Sequence, residues 1–290
     1  MALELIIPSR TRSLGEQTVG RVLPWTKRRA VGPFVFLDHM GPVEAAPGKR
    51  FDVPPHPHIG LSTVTYLLEG SSIHRDSLGF VQPIRAGDIN WMTAGRGIVH
   101  SERSLDASGG RMHGLQLWVG LPAALEECDP AFHHYGSGVL PALEQPGLRL
   151  RLLAGEAFGL RSPVAVSSPT LFIDAALEPG ASLPLPEAEE RGIYVIDGAL
   201  EVDGAAVAAR NLAVLGAGGA EVRAVGPTRA VILGGAPLDG PRHMWWNFVS
   251  SDPERIQRAA AAWKERRFPV IPTDAEARVE LPDEHVRLRT

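Results

Sequence analysis

Two pairs of residues that commonly bind metals, His56 with His58 and His100 with Glu102, stand about forty positions apart in this chain. Each pair has the spacing i, i+2, and such residues point to the same face of a β-strand. Each pair can therefore offer two ligand atoms to one point. Short antiparallel strands between the pairs would bring them together, so the spacing predicts a β-barrel around one site.

The segment between the two pairs has the composition of such strands. Leu61–Gly70 is rich in branched and aromatic residues and ends in glycine, a polar turn follows at Asp76–Gly79, and Ile84–Met92 is again strand-like. Runs of this kind, separated by turn residues, are typical of antiparallel strands. The 31 glycines and 25 prolines are spread along the chain, which predicts many short strands and turns.

Three imidazoles and one carboxylate form a ligand set suited to a transition metal. Fe(II), Mn, Ni, Cu and Zn accept nitrogen ligands, whereas Ca and Mg prefer shells made of oxygen. A single histidine on a strand is more often a hydrogen-bonded structural residue, but two pairs in one chain favour the metal. We therefore predict one metal ion, held by His56, His58, His100 and Glu102.

Charge and composition exclude several classes of protein. The formal net charge is -4 and the pI is near 6.2, which leaves no basic surface of the kind that binds nucleic acid directly. The single cysteine, Cys128, rules out an intramolecular disulfide and fits a reducing cytoplasm. The apolar run at the amino terminus is too short for a signal peptide, and no window approaches the roughly 20 apolar residues of a membrane helix. We expect a cytoplasmic protein that does not enter membranes.

An internal repeat predicts two copies of one β-domain. The segment Tyr66–Gly70 (YLLEG) is echoed by Tyr194–Gly198 (YVIDG), and each is followed by a polar turn and a second strand. We expect a metal-binding domain over residues 1–135, a second domain over 136–236 and an extension over 237–290. In the extension, Ser251–Glu254 supplies the cap, first-turn proline and acidic residue of an amphipathic helix, which we expect to pack back on the barrels.

The second copy is expected to lack the metal. The offsets of the repeat carry the four ligand positions to residues that do not reproduce the ligand set, namely Pro184, Pro186, Arg223 and Val225. The nearby Glu187, Glu189 and Glu190 lie in a run typical of a solvated loop.

Several segments resemble those of the pirin family, which belongs to the two-domain (bicupin) branch of the cupin superfamily. These segments are Phe34–Pro42, Pro55–Gly60, Thr63–Tyr66, His74–Gly79, Gly87–Glu102, Gly114–Val119 and Trp245–Ser251. The resemblance covers nearly the whole chain and is densest over residues 30–120. It implies an all-β fold of two cupin (jelly-roll) barrels face to face, with a C-terminal helix.

The resemblance also implies a mononuclear iron, Fe(II), in the amino-terminal barrel, held by the four residues predicted above. Mn, Ni, Cu, Co or Zn are alternatives for the same ligand set. The wider cupin pattern places a glutamate shortly after the first histidine pair, where Ser62 and Thr63 stand in this chain. Glu102 takes the carboxylate role instead.

The function implied by the resemblance is that of a dioxygenase. Pirins resemble quercetin 2,3-dioxygenases, so we expect cleavage of a flavonol such as quercetin, or of a similar enolisable aromatic, with O2. Glu102 is expected to act as both ligand and catalytic base. Other members are described as regulators, so the alternative is a redox-responsive iron protein that binds a protein partner without turnover.

Other side chains near the ligand segments have two interpretations. The apolar ones, Phe36, Phe51, Trp91, Met92 and Met112, can line a substrate pocket or fill the barrel core. His39 can support a ligand or hold its turn, and His74 and Asp76 can gate the mouth of the site or form a structural turn. His113 lies beside a strand expected to run past the site, whereas His133 and His134 follow Pro130 and have no partner at ligand spacing. For each apolar residue taken alone, the core interpretation is favoured.

Overall fold

The computed structural model describes residues 2–14, 17–45, 51–105, 110–275 and 277–282, and these segments are mainly β-strands. The strands up to residue 135 are β1 (Leu3–Pro8), β2 (Arg10–Leu14), β3 (Gln17–Leu23), β4 (Phe34–Ala45), β5 (Val53–His58), β6 (Leu61–Glu69), β7 (Ser71–Asp76), β8 (Val81–Arg85), β9 (Ile89–Thr93), β10 (Ile98–Ser104), β11 (Gly110–Gly120) and β12 (Ala131–Tyr135). The later strands are β13 (Ala142–Gln145), β14 (Leu148–Ala154), β15 (Glu156–Ala157), β16 (Leu160–Arg161), β17 (Thr170–Leu177), β18 (Glu190–Asp197), β19 (Ala199–Val202), β20 (Ala205–Ala208), β21 (Asn211–Leu215), β22 (Val222–Ala224), β23 (Thr228–Gly235), β24 (His243–Trp245) and β25 (Phe248–Ser250). The helical segments are α1 (Pro253–Lys264) and the 3-10 turns Ala123–Leu125 and Ser137–Val139.

The chain divides into two compact units. The ligand unit combines Met40–Ser137 with Leu238–Thr290, and the apolar unit combines Met1–His39 with Gly138–Pro237. The predicted domain limits at 135/136 and 236/237 stay a prediction. The boundaries between the two units, at 137/138 and 237/238, lie within two residues of these predicted limits. The apolar unit also includes the first 39 residues.

The ligand unit is built mainly on two antiparallel sheets. One includes the strands β12-β9-β6-β11-β4 in that order, and the other has the order β5-β10-β7-β8. Strands β5 and β10 carry the two pairs of predicted ligands and lie side by side. The segment between the pairs therefore folds as antiparallel strands, as its sequence predicts.

The bend after β6 explains why the repeated segment ends in glycine. Gly70 has a φ of +84°, and a Cβ at this position would collide with the carbonyl oxygen of Arg111. Gly198, at the same place in the second copy, has a φ of +79°. Because glycine adopts this left-handed conformation without strain, both copies place it where the chain passes from one sheet to the other.

The apolar unit repeats this architecture with a different interior. Its sheets have the orders β1-β21-β18-β23-β17-β14-β13 and β20-β19-β22. One apolar cluster joins the two sheets, and its members include Leu150, Leu152, Ile173, Ile193, Val195, Val202, Val222 and Ile232. Aliphatic side chains thus fill the interior of the second copy.

The strand register corrects the offset used to map the second ligand pair. Glu102 pairs with His74 in the ligand unit, and Val222 pairs with Val202, the repeat equivalent of His74, in the apolar unit. Val222 therefore corresponds to Glu102, because the chain between the paired strands is shorter than the mapping assumed. The residues that the mapping named, Arg223 and Val225, are exposed.

Helix α1 forms where the sequence predicts it. The Asp252 side chain accepts a hydrogen bond of 2.9 Å from the backbone N–H of Glu254, and Pro253 occupies the first turn. These are standard helix-start features. No helix among the described residues is long and apolar enough to cross a membrane.

The buried face of α1 packs on the strands that carry the predicted ligands. This face consists of Ile256, Ala259, Ala260 and Trp263. It shares one apolar cluster with Ile59, which follows β5, and with Val99 of β10. The extension therefore stabilises the sheet that holds the histidines.

We expect Ile256→Ala to lower the free energy of unfolding by about 2–5 kcal/mol, because it removes a fully buried side chain from this cluster. Urea denaturation measures the change. The matched control is Gln257→Ala, which makes the same kind of truncation at the next, exposed position of the helix, where the expected change is within about 0.5 kcal/mol. Equal losses in the two variants would contradict this packing.

Candidate metal centre

The three predicted histidine ligands meet at one point inside the ligand unit. Strands β5 and β10 are antiparallel, with His56 opposite His100 and His58 opposite Ile98. One nitrogen from each of the three rings lies within 4.8 Å of one from each of the others. The ring centroids are 4.3 Å apart for His56 and His100 and 5.1 Å apart for the other two pairs. The i, i+2 rule thus predicted this convergence correctly.

Hydrogen bonds orient two of these rings. The Nδ1 atom of His56 lies 2.8 Å from the carbonyl oxygen of Pro54, and that of His58 lies 3.1 Å from the carbonyl oxygen of Asn247. A protonated Nδ1 that donates to a carbonyl leaves Nε2 with a lone pair. Both rings can therefore present Nε2 to a metal, in the arrangement that supports imidazole ligands elsewhere.

His100 gives the strongest sign of a missing partner. Both of its ring nitrogens are buried, and neither has a hydrogen-bond partner within the described part of the chain. Burying an unsatisfied polar group is costly, so such a nitrogen calls for a ligand. Three converging imidazoles with these features fit a transition-metal ion.

Burial keeps the three imidazoles uncharged. It lowers the pKa of His56 to about 4 and the pKa values of His58 and His100 well below their usual range. Proximity of the rings to one another lowers the pKa values of His58 and His100 further. Because a metal binds the neutral ring, no proton has to be displaced from these nitrogens at neutral pH.

Glu102 lies beside the histidines but is not a member of the 4.8 Å group found among the described residues. Its Oε1 accepts a hydrogen bond of 3.3 Å from the Thr65 hydroxyl. Burial raises the pKa of Glu102 to about 7. The pairing of β10 with β5 shifts register between His100 and Glu102, because β5 has an extra residue there. The assignment of all four residues as ligands stays a prediction.

The reverse face of β10 is held by the C-terminal extension. The Asp274 carboxylate accepts hydrogen bonds from the Ser101 hydroxyl at 2.7 Å and from the Arg103 guanidinium at 2.8 Å for each of two nitrogens. The backbone N–H of Val279 donates to the carbonyl oxygen of Pro55 in β5 at 2.9 Å. Sequence reasoning did not find these contacts. The alternation of Ser101 and Arg103 with His100 and Glu102 along β10 does show that Ser101 and Arg103 occupy the opposite face of the strand.

A histidine and an aspartate from the β7 hairpin lie against this site. The His74 ring is 5.3 Å from the His100 ring and stacks on Phe132 at 4.0 Å. Its Nε2 is 2.9 Å from Oδ2 of Asp76, whose Oδ1 accepts backbone N–H groups of the following turn. Asp76 therefore holds the turn, as one of the two interpretations predicts, and His74 in addition packs beside His100.

Most of the other candidate residues pack in small apolar cores or form hydrogen bonds away from the three histidines. Met92 packs with Phe132, and Phe51 and Met112 pack with Leu67 and Ile84 in small cores. The polar candidates have partners of their own: His39 with Tyr194, His113 with Glu69 and His134 with Asn90. Sequence reasoning missed Trp118, whose ring lies 5.3 Å from that of His58.

Two family models match this chain. The one described as Pirin matches residues 15–119, and the one described as Pirin C-terminal cupin domain matches residues 172–269. A curated pirin-like protein of Caulobacter vibrioides is 48% identical over 288 residues, which cover 97% of this chain and 100% of the relative. The chain belongs to the pirin family.

Other relatives agree with this assignment. The pirin of Homo sapiens is 36% identical to this pirin over 250 residues, covering 80% of this chain and 84% of the human one. A crystal structure named as a quercetin 2,3-dioxygenase from Acinetobacter baumannii has a TM-score of 0.91 and 37% identity, and the match covers 98% of this chain and 97% of that one. Family and structure confirm the all-β fold with two cupin domains and a C-terminal helix.

We expect metal affinity to fall as the pH drops below about 7, by up to about tenfold per pH unit. Burial raises the pKa of Glu102 to about 7, so a proton competes with the metal at this carboxylate below that pH. Glu102→Gln removes this competition, and its weaker affinity should be nearly constant between about pH 5 and about pH 7. Competition titrations with a divalent metal measure both curves; equal slopes would remove Glu102 from the ligand set.

Proposed function

We propose that this pirin is a mononuclear metal-dependent dioxygenase that cleaves a flavonol such as quercetin, or a similar enolisable aromatic, with O2. The observation that carries the proposal is the convergence of three buried, uncharged imidazoles with a carboxylate of raised pKa beside them. The similarity to a structure named as a quercetin 2,3-dioxygenase supports it. The single cysteine supports a cytoplasmic location.

The residues proposed to hold the metal are His56, His58, His100 and Glu102. We propose Fe(II) as the ion, with Mn, Ni, Cu, Co or Zn as alternatives that the same donors accept. A bound Fe(II) would supply the Lewis acidity that lowers the pKa of an enol hydroxyl and the redox chemistry that O2 requires. Four protein ligands would leave room for substrate and O2 at an octahedral ion.

Glu102 is proposed as the catalytic base. A carboxyl group with a pKa of about 7 can take up a proton at neutral pH and release it again. It would accept the proton of the substrate 3-hydroxyl, which leaves the substrate as an enolate, and return this proton to the product. In the overall reaction one flavonol and one O2 give one ring-opened carboxylic ester and one carbon monoxide.

The surroundings of the histidines favour an aromatic substrate. Trp118 packs against His58, and Phe132 packs against His74. Aromatic and apolar walls exclude water and bind flat rings. They also preserve the low dielectric that keeps the imidazoles neutral.

The test is anaerobic loading with Fe(II), followed by quercetin and O2, with loss of flavonol absorbance and release of carbon monoxide as readouts. We expect turnover in the wild type and loss of both metal and turnover in His56→Ala. The matched control is His133→Ala, which removes an exposed histidine and should keep full activity.

A second variant tests the base. With equal iron loading, Glu102→Gln should lower kcat by about a hundredfold or more, because the amide cannot accept the proton. An active Glu102→Gln variant would remove Glu102 from this role. Iron-loaded wild type without turnover would contradict the dioxygenase and favour the redox-responsive partner protein, for which binding to a protein partner would depend on the oxidation state.

A further inference from the structure

One position in each of two neighbouring strands departs from a fully buried pattern. In β6, residues Leu61–Leu68 are buried except Thr65, and in β11, residues Met112–Gly120 are buried except Gln116. These two residues are direct cross-strand partners. Partial exposure in the middle of two buried strands indicates that both side chains border a space that water can reach, on one face of the sheet.

The Thr65 hydroxyl contacts both Gln116 and Glu102. The Thr65 hydroxyl lies 3.0 Å from Oε1 of Gln116 and 3.3 Å from Oε1 of Glu102. A hydroxyl donates one hydrogen and accepts others. The single hydroxyl hydrogen can serve only one of these two oxygens at a time, and a turned Gln116 amide, with its nitrogen donating to the hydroxyl, directs that hydrogen to Glu102.

The same level of the sheet is polar across four strands. Thr65 pairs with Asn90 of β9, which pairs with His134 of β12, and the His134 Nδ1 lies 2.8 Å from Oδ1 of Asn90. Directly paired residues share a face of the sheet. The level two residues away is mostly apolar and carries Trp118, Met92 and Phe132. The polar row therefore interrupts a mostly apolar face of the sheet at the level where Thr65 reaches Glu102.

We propose that Thr65 and Gln116 are positioning residues that set the orientation of Glu102 at the metal centre. The hydrogen bond from Thr65 occupies Oε1 of Glu102, so that Oε2 remains the oxygen available to the metal or the substrate. Gln116 acts through Thr65 by fixing the direction in which its hydroxyl donates. This inference rests on the ligand set given under the proposed function, and not on the identity of the substrate.

The test compares Thr65→Val, which keeps the branched shape and removes the donor, with Thr65→Ser, which keeps the donor. The probe is Co(II), with affinity measured by competition and the coordination by visible absorption. We expect Thr65→Val to bind Co(II) about 10–100-fold more weakly and with an altered spectrum, since lost support of a ligand has this effect. Thr65→Ser should restore most of the affinity and the wild-type spectrum.

Thr18→Val is the matched control, since it makes the same substitution at an exposed position of strand β3, in the apolar unit. Its affinity and spectrum should be those of the wild type. Gln116→Leu should change both readouts in the same direction as Thr65→Val but less, and it keeps the test valid if Thr65→Val does not fold. Wild-type affinity and spectrum in folded Thr65→Val, or in Gln116→Leu, would overturn the proposal. Co(II) binding needs no turnover, so failure of the dioxygenase proposal is distinguishable from failure of this one.

Discussion

The antiparallel pairing of β5 with β10 is the constraint on which the metal centre depends. It places His56 opposite His100 and His58 two pairs further along, opposite Ile98. Because neighbouring residues of a strand point to opposite faces, a slip of one residue would turn these ligands away from each other. Contacts on the opposite face of β10 stabilise this register, since Asp274 accepts hydrogen bonds from Ser101 and Arg103. The C-terminal extension thus stabilises the geometry of the site, mainly through the face of β10 that is opposite to His100.

The same packing sets the charge state of the site. Helix α1 covers one face of the ligand strands through Val99, and Trp118 packs against His58 on the other face. The resulting loss of water lowers the pKa values of the imidazoles and raises the pKa of Glu102. One cause therefore has two effects, because it keeps the imidazole nitrogens neutral and brings the pKa of a carboxyl group close to neutrality.

The sequence predicted what depends on local spacing and missed what depends on distant contacts. The i, i+2 rule predicted that His56, His58 and His100 share one face, and capping residues predicted α1. No local signal shows that Asp274 reaches Ser101 or that Trp118 reaches His58, because such contacts follow from the way sheets and extension pack. The mapping of Glu102 to Val225 failed for a related reason: a fixed offset ignores changes of loop length, whereas strand pairing leads to Val222.

The two copies of the fold show why the polar interior requires a function. Where the ligand unit has His74 opposite Glu102, the apolar unit has Val202 opposite Val222, and an apolar cluster surrounds both valines. The second copy therefore forms with aliphatic side chains at the positions of His74 and Glu102. Burying histidines and a carboxylate costs free energy, and each needs a partner to offset the cost. His74 has Asp76 and Glu102 has Thr65, while both nitrogens of His100 lack a partner among the described residues. Folding alone does not account for this arrangement, and a bound metal does.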